Sequence, residues 1–187
     1  MGQVTMSTCL YKSMFLFSRG QQSYYEHINT WMESLMEHIV VFFAWTLYLY
    51  VIHRAIHAVG VKYFPIAFEA HADHHRYINT HAKTTWHWNN LFLFNDTWMS
   101  TLDLWITEVI PTLIFSWVTG YWWISVFYYF WAAFVQEIIE HNPDFDMHPV
   151  LTSGKWHLVH HQDTTVNFGL FVPLWDRLFG TYRSHVG

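Results

Sequence analysis

The sequence predicts an all-α protein, an integral membrane helical bundle with a cytosolic, histidine-rich helical cap. Three observations carry this expectation. Hydrophobic residues make up 52% of the 187 residues and charged residues only 12%, about half the charge of an ordinary soluble domain. The apolar residues gather in runs of helical length, Ile39 to Ile52, residues 98–118 and Tyr121 to Val135. The pattern His-x-x-His-His occurs twice, as His71/His74/His75 and His157/His160/His161, and positions i, i+3 and i+4 of a helix share a face. Each copy is therefore expected to present three imidazoles toward a common point.

The length suits one domain. Residues 1–34 are expected to form an N-terminal segment and residues 35–187 the domain that carries the helices and the clustered histidines. The first 34 residues are mixed, with Gly20-Gln21-Gln22-Ser23 as a loop signal and Met14 to Phe17 as a short apolar patch suited to a membrane surface or an ordinary packed terminus. No basic region followed by an apolar core and a small-residue cleavage site opens the chain, so no secretory signal is expected. Met6 stands where a myristoylation motif requires Ser or Thr. Cys9 is the one cysteine, which excludes an internal disulfide and a thiolate zinc cage and leaves nitrogen and oxygen to hold any metal.

The uncharged run Ile39–Ile52 continues into His53-Arg54-Ala55-Ile56-His57, and Gly60 supplies a plausible stop. With Leu35, Met36 and the His53 turn the helix reaches the roughly 20 residues a bilayer needs; the alternative is a buried helix of a soluble core. Pro65 suits the first position of the next helix, which carries Glu69 and the first histidine cluster. Arg76, His81, Lys83 and Trp86-His87-Trp88 then form a polar, aromatic connector fitted to a membrane boundary. Asp103, Glu108 and Pro111 interrupt the run 98–118, and the two carboxylates should face protein, water or the bilayer edge. Gly120 separates that run from Tyr121–Val135, giving a tight helical hairpin whose second arm continues through Gln136, Glu137 and Glu140 to His141, before Asn142-Pro143 stops it. Asp144–Ser153 reads as a turn-rich link with Ser153 as a possible N-cap for the helix of His157, His160 and His161. The closing segment runs Asn167-Phe168-Gly169 and then Trp175-Asp176-Arg177-Leu178-Phe179-Gly180-Thr181, and its periodicity alone declares no function.

If residues 35–57 cross once and the hairpin crosses out and back, every clustered histidine lies on one side. Arg54, Lys62, Arg76, Lys83, Lys155, Arg177 and Arg183, seven of the nine basic residues, share that side, and the positive-inside rule makes it cytosolic. The net charge of -5 and the scatter of the basic residues leave no stripe for nucleic acid.

Nine histidines in four groups, His53/His57, His71/His74/His75, His141 and His157/His160/His161, exceed the needs of one tetrahedral ion and suit two. Neutral imidazole accommodates iron, zinc, copper or nickel. Glu69, Asp73, Glu137, Glu140 and Asp163 lie one or two turns from these rings and are candidates to accept their second N–H. Glu137, i-4 to His141, is also a candidate ligand, and His81 and His87 follow the first cluster closely enough to fold back over it. His27, His38, His148 and His185 stand alone and read as structural. An interfacial polar layer is the bland reading of the clustered histidines, but it would not require the i, i+3, i+4 spacing twice.

The order His-x3-His, His-x2-His-His, a histidine at a helix end and His-x2-His-His, closing on Asn-Phe-Gly and Trp-Asp-Arg-Leu-Phe-Gly-Thr, resembles the fatty acid hydroxylase and sterol desaturase superfamily over about residues 40–183. The resemblance implies a membrane scaffold and a catalytic domain over 35–187 with two iron ions, zinc being possible in isolated protein, and O2 as co-substrate. It implies iron ligation by His53, His57, His71, His74, His75, His157, His160 and His161, with His141 matching the histidine between the boxes. Fatty acid 2-hydroxylases carry two histidines there at i, i+4, where this chain has Glu137 and His141. His87 matches a histidine found after the second box in some sterol desaturases, without the proline that usually follows it. The implied activity is hydroxylation or desaturation of a lipid in the endoplasmic reticulum of a eukaryote or the cytoplasmic membrane of a bacterium. No electron-transfer domain is evident, so a separate donor, a cytochrome b-type or ferredoxin-type protein, is expected. A membrane zinc hydrolase, predicting turnover without O2, and a histidine-rich metal carrier, predicting no turnover, are the competing readings; the absence of His-Glu-x-x-His weakens the protease form of the first.

Overall fold

The computed structural model describes the backbone of residues 6–81, 85–147 and 150–184, and side chains from residue 27 onward within those ranges. Lys83, His148 and His185, and the side chains of Cys9 and of Met14 to Phe17, lie outside the described residues. Among the described residues the elements are all helical. The chain divides into two units, Met1–Val41 and Phe42–Gly187.

Helix α1, Met6–Tyr63, begins in the first unit. Residues 20–23 are helical there, not a loop; one glycine inside a helix costs only ~1 kcal/mol against alanine. Within this unit Trp31 Nε1 donates to His27 Nε2 at 3.1 Å and His38 Nδ1 to the Ser34 carbonyl at 2.6 Å, both at the i, i+4 spacing that stacks side chains along one helical face.

In the second unit the rest of α1 buries Trp45, Leu49, His53, Ile56 and Gly60, a stripe with steps of three and four residues. Trp45 Nε1 donates to Thr112 Oγ1 at 3.0 Å, and Thr46 Oγ1 accepts the indole N–H of Trp175 at 3.0 Å. Gly60 does not end the helix, which runs on to Tyr63. The Gly60 position serves close packing instead: a Cβ there would lie 3.1 Å from Phe68 Cβ, so the missing side chain lets α2, Pro65–Thr80, fold back after the turn at Phe64. Proline at the start of α2 matches the sequence expectation.

A 3₁₀ turn, Trp88–Phe92, leads into the hairpin. Its first arm is α3, Trp98–Leu104, capped by the Thr97 hydroxyl, which accepts the Ser100 N–H at 3.0 Å. A π turn, Trp105–Val109, and α4, Ile110–Thr119, follow. Gly120, at φ +80°, closes α4 as expected. The return arm is α5, Trp123–Trp131, a second π turn, Ala132–Gln136, and the short α6, Glu137–Ile139. Thr112, Ser116, Ile124, Tyr128 and Gln136 are buried, while Leu113, Ile114, Trp117, Val118, Val126, Phe130 and Phe134 are exposed. This hairpin thus turns several polar side chains inward beside Leu104, Val109 and Ile124 and leaves many large apolar ones facing outward, unlike a helix packed in water. His27–Tyr63 and Trp98–Thr119 are each long and apolar enough to cross a membrane, and Trp123–Ile139 is a shorter apolar helix.

Helix α7, Lys155–Gln162, starts at Gly154, not under a Ser153 side-chain cap. Gly154 sits at φ +73°, and a Cβ there would lie 2.1 Å from the Phe145 carbonyl oxygen. Its N–H bonds to the Glu140 carbonyl at 2.9 Å. Only glycine permits that approach, so backbone geometry replaces the expected hydroxyl cap. Helix α8, Leu174–Leu178, ends the described structure's helices.

Candidate metal centre

Four segments bring nine imidazoles together. The i, i+4 pair His53/His57 comes from α1, His71, His74 and His75 from α2, His141 from the turn after α6, and His157, His160 and His161 from α7. They do not converge as three rings per cluster. His53, His57, His71, His75 and His160 form one group and His74, His141, His157 and His161 another, the ligand-capable atoms of each group lying within 4.8 Å of one another. The reason is angular. Residues i and i+4 differ by about 40° around the helix, whereas i+3 falls about 60° to the other side. Helix α2 therefore gives its i, i+4 pair to the first group and His74 to the second, and α7 gives its i, i+4 pair to the second group and His160 to the first.

The hydrogen bonds on the outer nitrogens fix how the inner ones present themselves. His53 Nδ1 donates to the Phe168 carbonyl at 2.8 Å, His160 Nδ1 to the Val166 carbonyl at 2.7 Å, and His71 Nδ1 to both carboxylate oxygens of Asp103 at 3.0 Å. A neutral imidazole with its hydrogen on Nδ1 has only a lone pair at Nε2. Yet His53 Nε2 and His71 Nε2 stand 3.1 Å apart, and His71 Nε2 also lies 2.9 Å from His57 Nε2 and 3.1 Å from His75 Nε2. His57 Nε2 is in turn 3.1 Å from His160 Nε2. With both rings neutral, two lone pairs oppose each other between His53 and His71, an arrangement a cation reconciles. In the second group His157 Nε2 and His161 Nε2 are 3.0 Å apart, and both ring nitrogens of His141 are buried without a hydrogen-bond partner. The residues thus fit a metal in each group.

Burial sets the protonation that metal binding needs. Desolvation, reinforced by neighbouring imidazoles, holds His75, His141, His157, His160 and His161 well below the ordinary histidine range, so these rings are neutral, the form in which imidazole binds metal. Glu140 is pushed well above the carboxylate range, by burial first and the Glu108 carboxylate next. The 3.9 Å approach of Glu140 Oε1 to His157 Nε2 is therefore a contact between neutral groups, not an ion pair.

Glu137 and His87 belong to neither group. Glu137 is buried and lines a small cavity with His74 and His141. His87 is exposed in the connector, its Nε2 3.1 Å from Thr85 Oγ1, and His81 is also exposed, its ring stacked on Tyr77. Of the carboxylates expected to orient the rings, Glu69 is exposed, Asp73 accepts from Arg76, and Asp163 accepts from Thr165. Asp103 and two backbone carbonyls take that part instead. The signal for Asp103 was present in the sequence: an ionisable residue inside an apolar helix marks a functional position. It lines a cavity with His53, His71, His74, His141 and His157, so this space borders both groups. Glu108 and Gln136 share the wall, Gln136 Nε2 donating to Glu108 Oε1 at 3.1 Å and the Tyr128 hydroxyl to Glu108 Oε2 at 3.1 Å.

The chain belongs to the fatty acid hydroxylase family, whose model matches residues 38–181. Among curated proteins it is similar to the Delta(7)-sterol 5(6)-desaturase erg3B of Aspergillus fumigatus, 27% identical over 136 residues, which cover 72% of this chain and 36% of that protein. A probable Delta(7)-sterol 5(6)-desaturase of Neurospora crassa is 27% identical over 147 residues, covering 74% of this chain and 36% of that protein. The Delta(7)-sterol 5(6)-desaturase of Candida glabrata is 25% identical over 150 residues, covering 80% and 36%. The chain spans about a third of the length of these relatives. No solved structure matches it.

Proposed function

We propose that the protein is an O2-dependent membrane oxidoreductase that hydroxylates or desaturates a lipid at a centre of two iron ions. The observation that carries this reading is the pair of buried histidine groups, five and four rings, with imidazole lone pairs turned on one another. In this reading His53, His57, His71, His75 and His160 hold one ion and His74, His141, His157 and His161 the other. Iron supplies the reduction of O2 and the removal of hydrogen from an unactivated C–H bond, a task beyond any side chain. The chain's own residues do the rest. Asp103 and the Phe168 and Val166 carbonyls fix ring orientation, burial favours the neutral form of His75, His141, His157, His160 and His161, and the cavity bordering both groups is where a substrate carbon would sit.

Hydroxylation inserts one oxygen atom and leaves the other to be reduced to water by two electrons and two protons, and desaturation consumes the same two electrons. A separate donor, of the cytochrome b or ferredoxin type, would deliver them. The apolar outward faces of the hairpin suit a bilayer, and the basic residues favour a cytosolic metal centre, in the endoplasmic reticulum of a eukaryotic cell or the cytoplasmic membrane of a bacterium. The sterol desaturase relatives make a sterol a natural first substrate to try, beside fatty acyl lipids.

The test combines anaerobic metal analysis of the purified protein with lipid profiling of cells expressing wild type or His160→Ala. The expected result is two irons per chain and an oxidised lipid that requires O2 and is lost in the variant. Active protein holding two tightly bound zinc ions, or a product formed without O2, would overturn the proposal.

A further inference from the structure

The segment Asn167 to Tyr182 contributes no ring to either histidine group, yet it contains a buried carboxylate held by three hydrogen bonds. Asp176 is 1% exposed. Its Oδ1 accepts the Phe168 N–H at 2.8 Å and the Thr181 hydroxyl at 2.7 Å, and its Oδ2 accepts the Gly169 N–H at 2.9 Å. Three donors on one buried carboxylate make a strong local clamp, since charge-assisted hydrogen bonds exceed neutral ones.

Gly169 is shaped to this clamp. A Cβ there would lie 2.7 Å from Asp176 Oδ2 and 2.8 Å from the Val172 carbonyl oxygen, so any side chain would push the loop off the carboxylate. Asn167 holds the same loop from the other end at φ +53°, a conformation asparagine tolerates better than most residues. Its Oδ1 accepts the Arg183 N–H at 2.8 Å, its Nδ2 donates to the Arg183 carbonyl at 2.8 Å, and its own N–H bonds to the Thr181 carbonyl at 2.9 Å. The hydroxyl of Tyr50, on α1, lies 2.9 Å from Thr181 Oγ1. The Asn-Phe-Gly and Trp-Asp-Arg-Leu-Phe-Gly-Thr stretches, whose far ends Asn167 and Thr181 are fourteen positions apart, are thus two halves of one backbone lock.

What the lock holds is the pair of carbonyls at Val166 and Phe168. These accept the Nδ1 hydrogens of His160 and His53, and both rings belong to the five-histidine group. None of His74, His141, His157 and His161 has a described hydrogen bond to this loop. We propose that Asp176 is a positioning residue for one metal site of the two: by fixing the 166–169 loop it turns His53 Nε2 and His160 Nε2 into the five-histidine group and leaves the four-histidine group alone. This rests on the reading that both groups hold metal.

The test is Asp176→Asn in the full chain, purified in detergent and titrated with zinc against a competing chelator. Wild type should bind two ions. In the variant one ion should keep its affinity and the other should weaken about tenfold to hundredfold, the range for lost orienting partners. Adding His160→Ala, which already removes a ring from the affected group, should leave one tight site; adding His161→Ala should leave none. A merely structural role would lower both affinities together. Should Asp176→Asn not fold, Thr181→Val, which deletes the hydroxyl that reaches both Asp176 Oδ1 and the Tyr50 hydroxyl, should produce the same selective loss on a smaller scale. Equal loss at both sites, or no loss at either, would overturn the proposal. A wild type that binds fewer than two ions would instead remove the two-metal reading beneath it.

Discussion

Replacing Asp103 separates the orienting role of a carboxylate from the ligand set itself. Asp103 is buried, and both of its oxygens stand 3.0 Å from His71 Nδ1. His71 Nε2 is the atom on which three other imidazoles of the five-histidine group converge. Loss of such a partner typically weakens a metal site about tenfold to hundredfold, which is about 1.4 to 2.7 kcal/mol. Asp103→Asn keeps an oxygen able to accept the Nδ1 hydrogen and should fall at the lower end. Asp103→Leu leaves that hydrogen buried and unpaired, a further cost of about 1–3 kcal/mol, and should reach or exceed the upper end. Competitive iron(II) titration under nitrogen measures both. The loss should fall on the five-histidine group, because no ring of the other group bonds to Asp103. Wild-type affinity in Asp103→Leu, or an equal loss at both groups, would refute the reasoning.

His160→Ala and His161→Ala should each reduce bound metal from two ions per chain toward one, since the two rings belong to different groups although adjacent in sequence; elemental analysis after size-exclusion chromatography reads this directly. Gly154→Ala should destabilise the protein by at least ~3 kcal/mol, because backbone strain of ~1–3 kcal/mol adds to a 2.1 Å clash with the Phe145 carbonyl oxygen that no side-chain rotation relieves. Thermal unfolding at the wild-type temperature would contradict that. Trp45→Phe removes the indole N–H that reaches Thr112 Oγ1 and should cost ~1 kcal/mol from that bond. Thr112→Val leaves the same N–H buried without an acceptor and should cost more, with the double variant less than additive in a thermal-shift series.

How far the sequence discloses this architecture depends on the length scale of each feature. The helices around the two histidine clusters, proline at the start of α2 and Gly120 at the end of α4 are local, set by spacing and by residues with restricted backbones. The misplaced boundaries have local causes as well. Gly60 looks like a stop but lies where α2 crosses α1, and Ser153 looks like a cap but stands beside a glycine that a neighbouring carbonyl requires. Pairings across the chain left less trace. His53 and Phe168 are 115 residues apart, and His71 and Asp103 are 32 apart; an accepting carbonyl has no side-chain signature, so carboxylates near in sequence were the natural candidates. The partition of each His-x-x-His-His between two groups was legible in principle, because i+3 and i+4 diverge around the helix, but only once a second ion is placed beside the first.

The π turns explain why the polar face of the hairpin resists a periodic reading. In a regular α-helix Asp103 and Glu108, five residues apart, would point about 140° away from each other. The extra residue in the turn Trp105–Val109 brings both to the cavity that borders the two histidine groups. The second π turn, Ala132–Gln136, does the same on the return arm, delivering Gln136 to Glu108. Such turns sacrifice regular helical bonding and recur at functional sites. A helix with unbroken 3.6-residue period could keep Asp103 on His71 or Glu108 beside Gln136, but not both, so the irregularity belongs to the construction of the site.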